Sequence, residues 1–140
     1  MSKEVLVTVT GTQTNEWGEK DTIELTTLGY MYVKNGSFYL IYNETELSGM
    51  EGTTTSVKAE PSRVTLNRMG SAEMRQVFEE GQRHEGKYIT PYGSMDTKVL
   101  PCKVEVDLTE MGGSINLEYE LELDRQKIGY NELSITVKEV

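Results

Sequence analysis

Reactive side chains are scarce in this sequence. It contains one cysteine, Cys102, and one histidine, His84, among 140 residues. An internal disulfide and a zinc site built from cysteine and histidine are therefore excluded. The sequence also contains neither the Gly-Lys-Ser/Thr of a phosphate-binding loop nor the Gly-x-Ser-x-Gly of serine hydrolases. We predict no catalytic residues, no metal and no cofactor, and we favour a non-enzyme over an enzyme.

The sequence also has few positively charged residues and lacks long apolar runs. Lysine and arginine number 14 against 23 acidic residues, which gives a formal net charge of -9. Nucleic-acid phosphates and anionic lipid headgroups repel such a chain. No apolar run approaches the roughly 18 residues that cross a bilayer, and the N-terminal residues lack the apolar segment of a secretory signal. We expect a cytoplasmic protein without nucleic-acid or membrane partners.

The sequence does contain a repeated alternation of apolar and polar residues with a period of two. Residues 115–123 give the clearest case, and residues 5–9, 104–108 and 133–137 follow the same pattern. This pattern is typical of strands with one buried face. The Asn-Gly pair at 35–36 lies between two apolar runs and predicts a type I′ hairpin turn. The sequence therefore predicts eight to ten antiparallel strands joined by short turns.

Many strands in one sheet would leave long unpaired edges, and closing the sheet removes them. We predict an all-β, up-and-down barrel as the single domain of residues 1–140, with a two-sheet sandwich as the alternative. One segment is ambiguous, because Met74, Val77 and Phe78 have helical spacing whereas Met74, Gln76 and Phe78 would share one face of a strand. Gly29, within a long strand, predicts a bulge or a close approach of another backbone.

Arg68 occupies the most unusual position in the chain, because it follows Val64 and Leu66 on an apolar strand face. Its guanidinium should therefore lie inside the barrel or at its mouth. Two explanations stay open. Arg68 either pairs at the rim with an acid such as Glu80, or it contacts an anionic ligand, which suits its planar set of donors.

A second cluster begins at Arg83 and His84 and continues to Tyr88 and Tyr92, which alternate along one side of a predicted strand. The tyrosines either direct their hydroxyls to water or line a cavity mouth. We expect Arg68 near Tyr88 or Tyr92. The candidate ligand-binding residues are Arg68, Tyr88, Tyr92, Glu80, Arg83 and His84.

Five segments of the sequence carry a resemblance to a known family. They are Gly-Met-Glu-Gly at 49–52, Val-Thr-Leu-Asn-Arg-Met-Gly at 64–70, Val-Phe-Glu-Glu-Gly-Gln-Arg-His at 77–84, Tyr-Ile-Thr-Pro-Tyr-Gly at 88–93 and Leu-Glu-Tyr-Glu-Leu at 117–121. In this order they resemble the YwiB-like family of small bacterial proteins, over essentially the whole chain. The resemblance implies a calycin-like, lipocalin-type β-barrel in which residues 74–78 form a strand. Glu51 matches one of the recurrent motifs, but the family supplies no activity, cofactor or mapped site.

Three functions follow from these observations. The first is a barrel that binds a small molecule, for example an anion, in its interior or mouth, which a cavity would favour. The alternative is an interaction or scaffold protein with a filled interior and an acidic surface. An enzyme working without metal or nucleotide is the least favoured. The sequence makes no prediction of oligomeric state.

Overall fold

A computed structural model describes residues 2–44 and 52–140, and all of their regular elements are strands. Glu51 and most of the predicted chain break at 49–52 lie outside the described residues. The ten described strands are β1 (Lys3–Thr14), β2 (Lys20–Lys34), β3 (Ser37–Asn43), β4 (Thr53–Glu60), β5 (Arg63–Gly70), β6 (Glu73–Phe78), β7 (His84–Thr90), β8 (Gly93–Thr109), β9 (Gly112–Leu123) and β10 (Gln126–Glu139). None of the described segments is a helix long and apolar enough to cross a membrane.

Each strand pairs antiparallel with the next along the chain, and β1 pairs with β10 to close the sheet. The predicted up-and-down barrel is confirmed, and the sandwich alternative is wrong. The ambiguous segment is a strand, because β6 pairs with β5 through Val64 and Phe78 and through Leu66 and Gln76. That register gives Met74, Gln76 and Phe78 one face and so removes the helical alternative.

The inner face of the barrel carries the alternating apolar residues that the sequence predicted. The most deeply buried of them are Val5, Val7, Val57, Val64, Leu66, Phe78, Val99, Ile115, Leu117, Ile135 and Val137. They fill the middle of the barrel and the end that carries the chain termini. The opposite end, where β3 leads into β4 and β5 into β6, has polar residues on its inner face.

The sequence predicts one of two tight turns more clearly than the other. Asn35 and Gly36 have φ angles of 52° and 79°, which confirms the predicted type I′ turn. Asp124 and Arg125 also have positive φ angles, 48° and 68°, although neither is a glycine. The Asp124 carboxylate accepts the Asp96 backbone N–H at 2.8 Å, which helps to hold this second turn.

The wall of the barrel is least complete between β6 and β7. The two strands pair through Glu73 and Ile89 and through Met74 and Tyr88. Beyond these pairs, among the described residues, the chain after β6 connects instead to β8, where the Gly81 N–H donates to the Pro101 carbonyl at 2.9 Å. The strands therefore diverge and leave a slot in the wall.

Candidate functional site

Arg68 lies on the inner face of β5 near the polar end of the barrel, opposite Thr55 of β4. Its side chain is only 13% exposed, and its Nε is 3.7 Å from Oε1 of Glu44, whose side chain is 4% exposed. The Thr55 hydroxyl donates to the same carboxylate oxygen at 2.5 Å. The site is thus a buried ion pair with a supporting hydroxyl. Because buried charges are costly unless paired and hydrogen-bonded, each group depends on the others.

Arg68 pairs with an acid, as one of the two explanations predicts, but that acid is Glu44 and not Glu80. The Glu80 carboxylate accepts the backbone N–H of Val104 at 3.0 Å. Arg68 is opposite Met74, near the start of β6, whereas Glu80 follows the end of that strand. The length of β6 therefore places Glu80 toward the other end of the barrel.

Two buried tyrosines lie within electrostatic range of Arg68. Burial raises the pKa of Tyr42, and the Glu44 carboxylate raises it further. The Arg68 guanidinium and the Thr55 hydroxyl lower this pKa by smaller amounts. Burial also raises the pKa of Tyr119, again against the effect of Arg68. Both phenols therefore stay neutral well into the alkaline range and present uncharged surfaces to the ion pair.

The tyrosines expected near Arg68 are placed differently. Tyr92 is 99% exposed in the turn between β7 and β8, which agrees with the alternative that its hydroxyl is directed to water. Pro91 and Tyr92 form the tip of that turn, where the strand alternation has ended. Tyr88 lies in the same row as Arg68, one strand beyond Met74. The register therefore places Tyr88 on the inner face, while Tyr42 and Tyr119 are the tyrosines whose pKa the Arg68 charge affects.

A cavity of about 210 Å³ opens beside the ion pair at the mouth of the barrel. We call it the mouth cavity. Its charged lining residues are Arg68, Glu44, Asp21 and Glu132, and its apolar lining includes Val9, Leu25, Leu133 and Tyr119. The Nε of Arg68 is buried, and among the described residues it has no hydrogen-bond partner. A buried N–H without an acceptor is costly.

The other two candidates do not belong to the mouth cavity. Arg83 is exposed and lines an outer groove of about 310 Å³ together with Lys98 and Glu120. The Nε2 of His84 is 3.0 Å from Oε1 of Glu79, at the far end of the slot between β6 and β7. Of the six candidates predicted from the sequence, only Arg68 lines the mouth cavity.

Cys102 lies on the outer surface as a free thiol. Its Sγ donates to the Glu118 carbonyl at 3.4 Å and lies 3.4 Å from the Tyr130 hydroxyl, which donates to the Glu118 carboxylate. This hydrogen bond and that of Lys103 lower the pKa of Glu118. Within the described part of the chain, no three histidine, cysteine, aspartate or glutamate side chains converge to hold a metal ion.

The sequence has relatives whose description agrees with this fold. Residues 7–135 match the domain of unknown function DUF1934. The chain is also 29% identical over 119 residues to the uncharacterized beta-barrel protein YwiB of Bacillus subtilis (strain 168), which covers 85% of this chain and 82% of the relative.

A solved structure shows the same architecture. The crystal structure of the ywiB protein from Bacillus subtilis superposes with a TM-score of 0.87 at 24% sequence identity, and the match covers 99% of this chain and 93% of the other. At that identity the superposition shows the fold alone. The predicted family resemblance is confirmed by the sequence matches, and the chain belongs to the DUF1934 family of YwiB-like β-barrel proteins.

Proposed function

We propose that this protein binds one small molecule in the mouth cavity, with the Arg68 side chain donating to an acceptor atom of the ligand. The observation that carries the proposal is that Arg68 lines the mouth cavity while its Nε makes no hydrogen bond among the described residues, with Oε1 of Glu44 3.7 Å away. An apolar wall with a few converging polar groups is the usual composition of a ligand pocket. Val9, Leu25 and Leu133 provide the apolar wall here.

The charges of the mouth cavity favour a neutral acceptor over an anion. Glu44 already offsets the positive charge of Arg68, and Asp21 and Glu132 add two further carboxylates to the lining. A carboxylate or phosphate ligand would meet these negative charges in a site of low effective dielectric constant. A carbonyl or hydroxyl oxygen can accept the Nε–H without that repulsion. We therefore narrow the expected ligand from an anion to a mainly apolar molecule with a neutral oxygen acceptor.

The volume sets the size class of the ligand. About 210 Å³ is below the roughly 300–1,000 Å³ of ordinary ligand pockets. The rest of the barrel is filled by buried aliphatic side chains, so a long chain or a large ring system has no room to enter. The ligand class is therefore a small carbonyl or hydroxyl compound.

The experiment is native mass spectrometry of freshly purified protein, with variants that block the cavity without touching the ion pair. Gly11 lines the mouth cavity, and a Cβ added there would lie 3.9 Å from Cδ1 of Leu133. Gly11→Leu should therefore fill the cavity. The matched control is Thr8→Leu, which adds the same side chain to the outer face of the same strand.

We expect the wild-type protein and Thr8→Leu to retain the same small compound, and Gly11→Leu to lose it. A library of small carbonyl and hydroxyl compounds, tested by thermal shift, serves as the second measurement. The proposal is wrong if no compound is retained and no library member stabilises the wild type more than Gly11→Leu. That outcome would favour the alternative of a filled barrel that binds a protein partner through its acidic surface.

A further inference from the structure

The slot between β6 and β7 is a second cavity, separate from the mouth cavity. It has a volume of about 310 Å³, and none of the described residues that line it also lines the mouth cavity. It exists because β6 and β7 are paired only near Met74 and Tyr88 and then diverge. Gly86 keeps the slot narrow on one side, since a Cβ added there would lie 2.9 Å from the Arg75 carbonyl.

Positively charged side chains are concentrated in the lining of the slot, although the formal net charge of the protein is -9. Arg63, Arg75 and Lys87 line it, against one lining carboxylate, Glu85. Arg75 is exposed and, among the described residues, has no carboxylate within ion-pair distance. This clustering runs against the charge of the whole chain, so the surface composition does not account for it.

Nearby carboxylates partly offset some of these positive charges. Glu79 lies 3.8 Å from Arg63 and 3.0 Å from Nε2 of His84. Lys87 and Asp96 are 3.5 Å apart, but both side chains are mostly exposed, so solvent weakens that pair. An excess of positive charge therefore remains. Arg75 contributes most to it, because no carboxylate among the described residues pairs with Arg75.

The buried polar atoms of the slot provide an independent observation. Gln76 is only 5% exposed and lines the slot, and its side chain makes no hydrogen bond to the rest of the described chain. The Nε of Arg63 is buried and likewise has no acceptor among the described residues. Buried amide and guanidinium donors are normally satisfied. The Gln76 amide can donate to an oxygen-rich molecule placed in the slot that it lines.

We propose that the slot binds a phosphate group, either free phosphate or the phosphate of a small monoester. Its oxygens would accept from the Arg75 and Arg63 guanidinium groups and from the Gln76 amide. Planar arginine donors suit a phosphate, and Lys87 adds a point charge. The volume has room for a small organic group attached to the phosphate. This site is independent of the mouth cavity, so either proposal can fail without the other.

The single histidine makes the test direct. His84 lines the slot, so its imidazole resonances in a nuclear magnetic resonance spectrum report on that site without assignment of the remaining residues. Inorganic phosphate is titrated at constant ionic strength, with acetate in a parallel titration. A third titration with phenyl phosphate tests whether the organic group of a monoester contributes. We expect saturable shifts of the His84 resonances with phosphate, and no saturable shift with acetate.

Arg75→Gln should weaken phosphate binding about tenfold, because it removes one charge-assisted contact. Arg83→Gln is the matched control, since it removes the same charge from the outer groove at the neighbouring position to His84 and should leave the affinity unchanged. Lys87→Gln is a second exposed variant that should also weaken binding. Unshifted His84 resonances, equal responses to phosphate and acetate, or equal affinity in Arg75→Gln and Arg83→Gln would each overturn the proposal. Tighter binding of phenyl phosphate would support a monoester, and equal binding would support free phosphate.

Discussion

The Arg68 guanidinium of β5 meets the Glu44 carboxylate that follows β3, across the intervening strand β4, with 3.7 Å between Nε and Oε1. Thr55 of β4 lies opposite both Tyr42 and Arg68 in register, and its hydroxyl donates to Glu44. Three strands therefore contribute to one polar group inside an otherwise apolar barrel. Its energetic role in folding and its proposed role in binding can be measured separately.

The first prediction concerns stability. Arg68→Met should lower the free energy of unfolding by about 3–5 kcal/mol, because it leaves the Glu44 carboxylate buried without its partner. Adding Glu44→Gln should recover part of this loss, since the buried charge is then absent. Chemical denaturation of the two single variants and the double variant measures the coupling. Additive losses would contradict the buried ion pair.

An exposed ion pair provides the matched control. Lys3 and Glu139 are 2.6 Å apart, but both side chains are more than a third exposed. Lys3→Met should lower the free energy of unfolding by no more than about 1 kcal/mol. A loss equal to that of Arg68→Met would show that burial is not what makes the inner pair important.

The second prediction concerns alkaline pH. The folded-state pKa values of Tyr42 and Tyr119 are raised by burial, so their contribution to stability is complete only well below about pH 10, the pH at which an unfolded tyrosine is half ionised. Above that value the unfolded chain releases protons that the folded chain retains, and stability falls as pH rises. Tyr42→Phe should therefore show a smaller alkaline loss of stability than the wild type.

The measurement is denaturant unfolding at several pH values, together with the phenolate absorbance of the folded protein. Tyr92→Phe is the control for the loss of a tyrosine hydroxyl, because that ring is fully exposed. If Tyr42→Phe loses as much stability at alkaline pH as the wild type, the buried environment assigned to Tyr42 is wrong.

The third prediction concerns Gly29. A Cβ at this position would lie 2.6 Å from the carbonyl oxygen of Ile41, which is the close backbone approach that the sequence predicted as one alternative. Gly29→Ala should cost about 1–3 kcal/mol, as overpacking does elsewhere. Gly11→Ala, in a neighbouring strand with its nearest contact at 3.9 Å, should cost little or stabilise. Equal melting temperatures for the two variants would contradict the crowding at Gly29.

The fourth prediction concerns Cys102, which is exposed and forms no disulfide. Mass spectrometry under non-reducing conditions should show the uncrosslinked chain as the main species, and a thiol reagent should modify the folded protein. A covalent dimer as the main species would show that the thiol does not stay free.

The sequence predicted the barrel because the period of two is set by which face of each strand is buried, and that pattern is local. It also singled out Arg68, which ends the inward series Val64, Leu66 and Arg68. Glu44 ends an equivalent series after Leu40 and Tyr42. The same reasoning could therefore have found Glu44, and it was missed.

What the sequence could not predict depends on register across several strands. The partner of Arg68 is fixed by how β3, β4 and β5 align, and no local pattern encodes that alignment. Tyr92 was misplaced because alternation stops at the turn that begins with Pro91. The slot arises from incomplete pairing of β6 with β7, and two strands can diverge without changing the polarity pattern of either.

The most direct test of the proposed function is a crystal structure of the freshly purified protein with its retained compound. We predict electron density for a small molecule in the mouth cavity, with an oxygen about 2.7–3.2 Å from Nε of Arg68 and the apolar part against Val9 and Leu25. Density for water alone beside Arg68, with the retained compound bound elsewhere, would contradict the assignment of the mouth cavity as the ligand site.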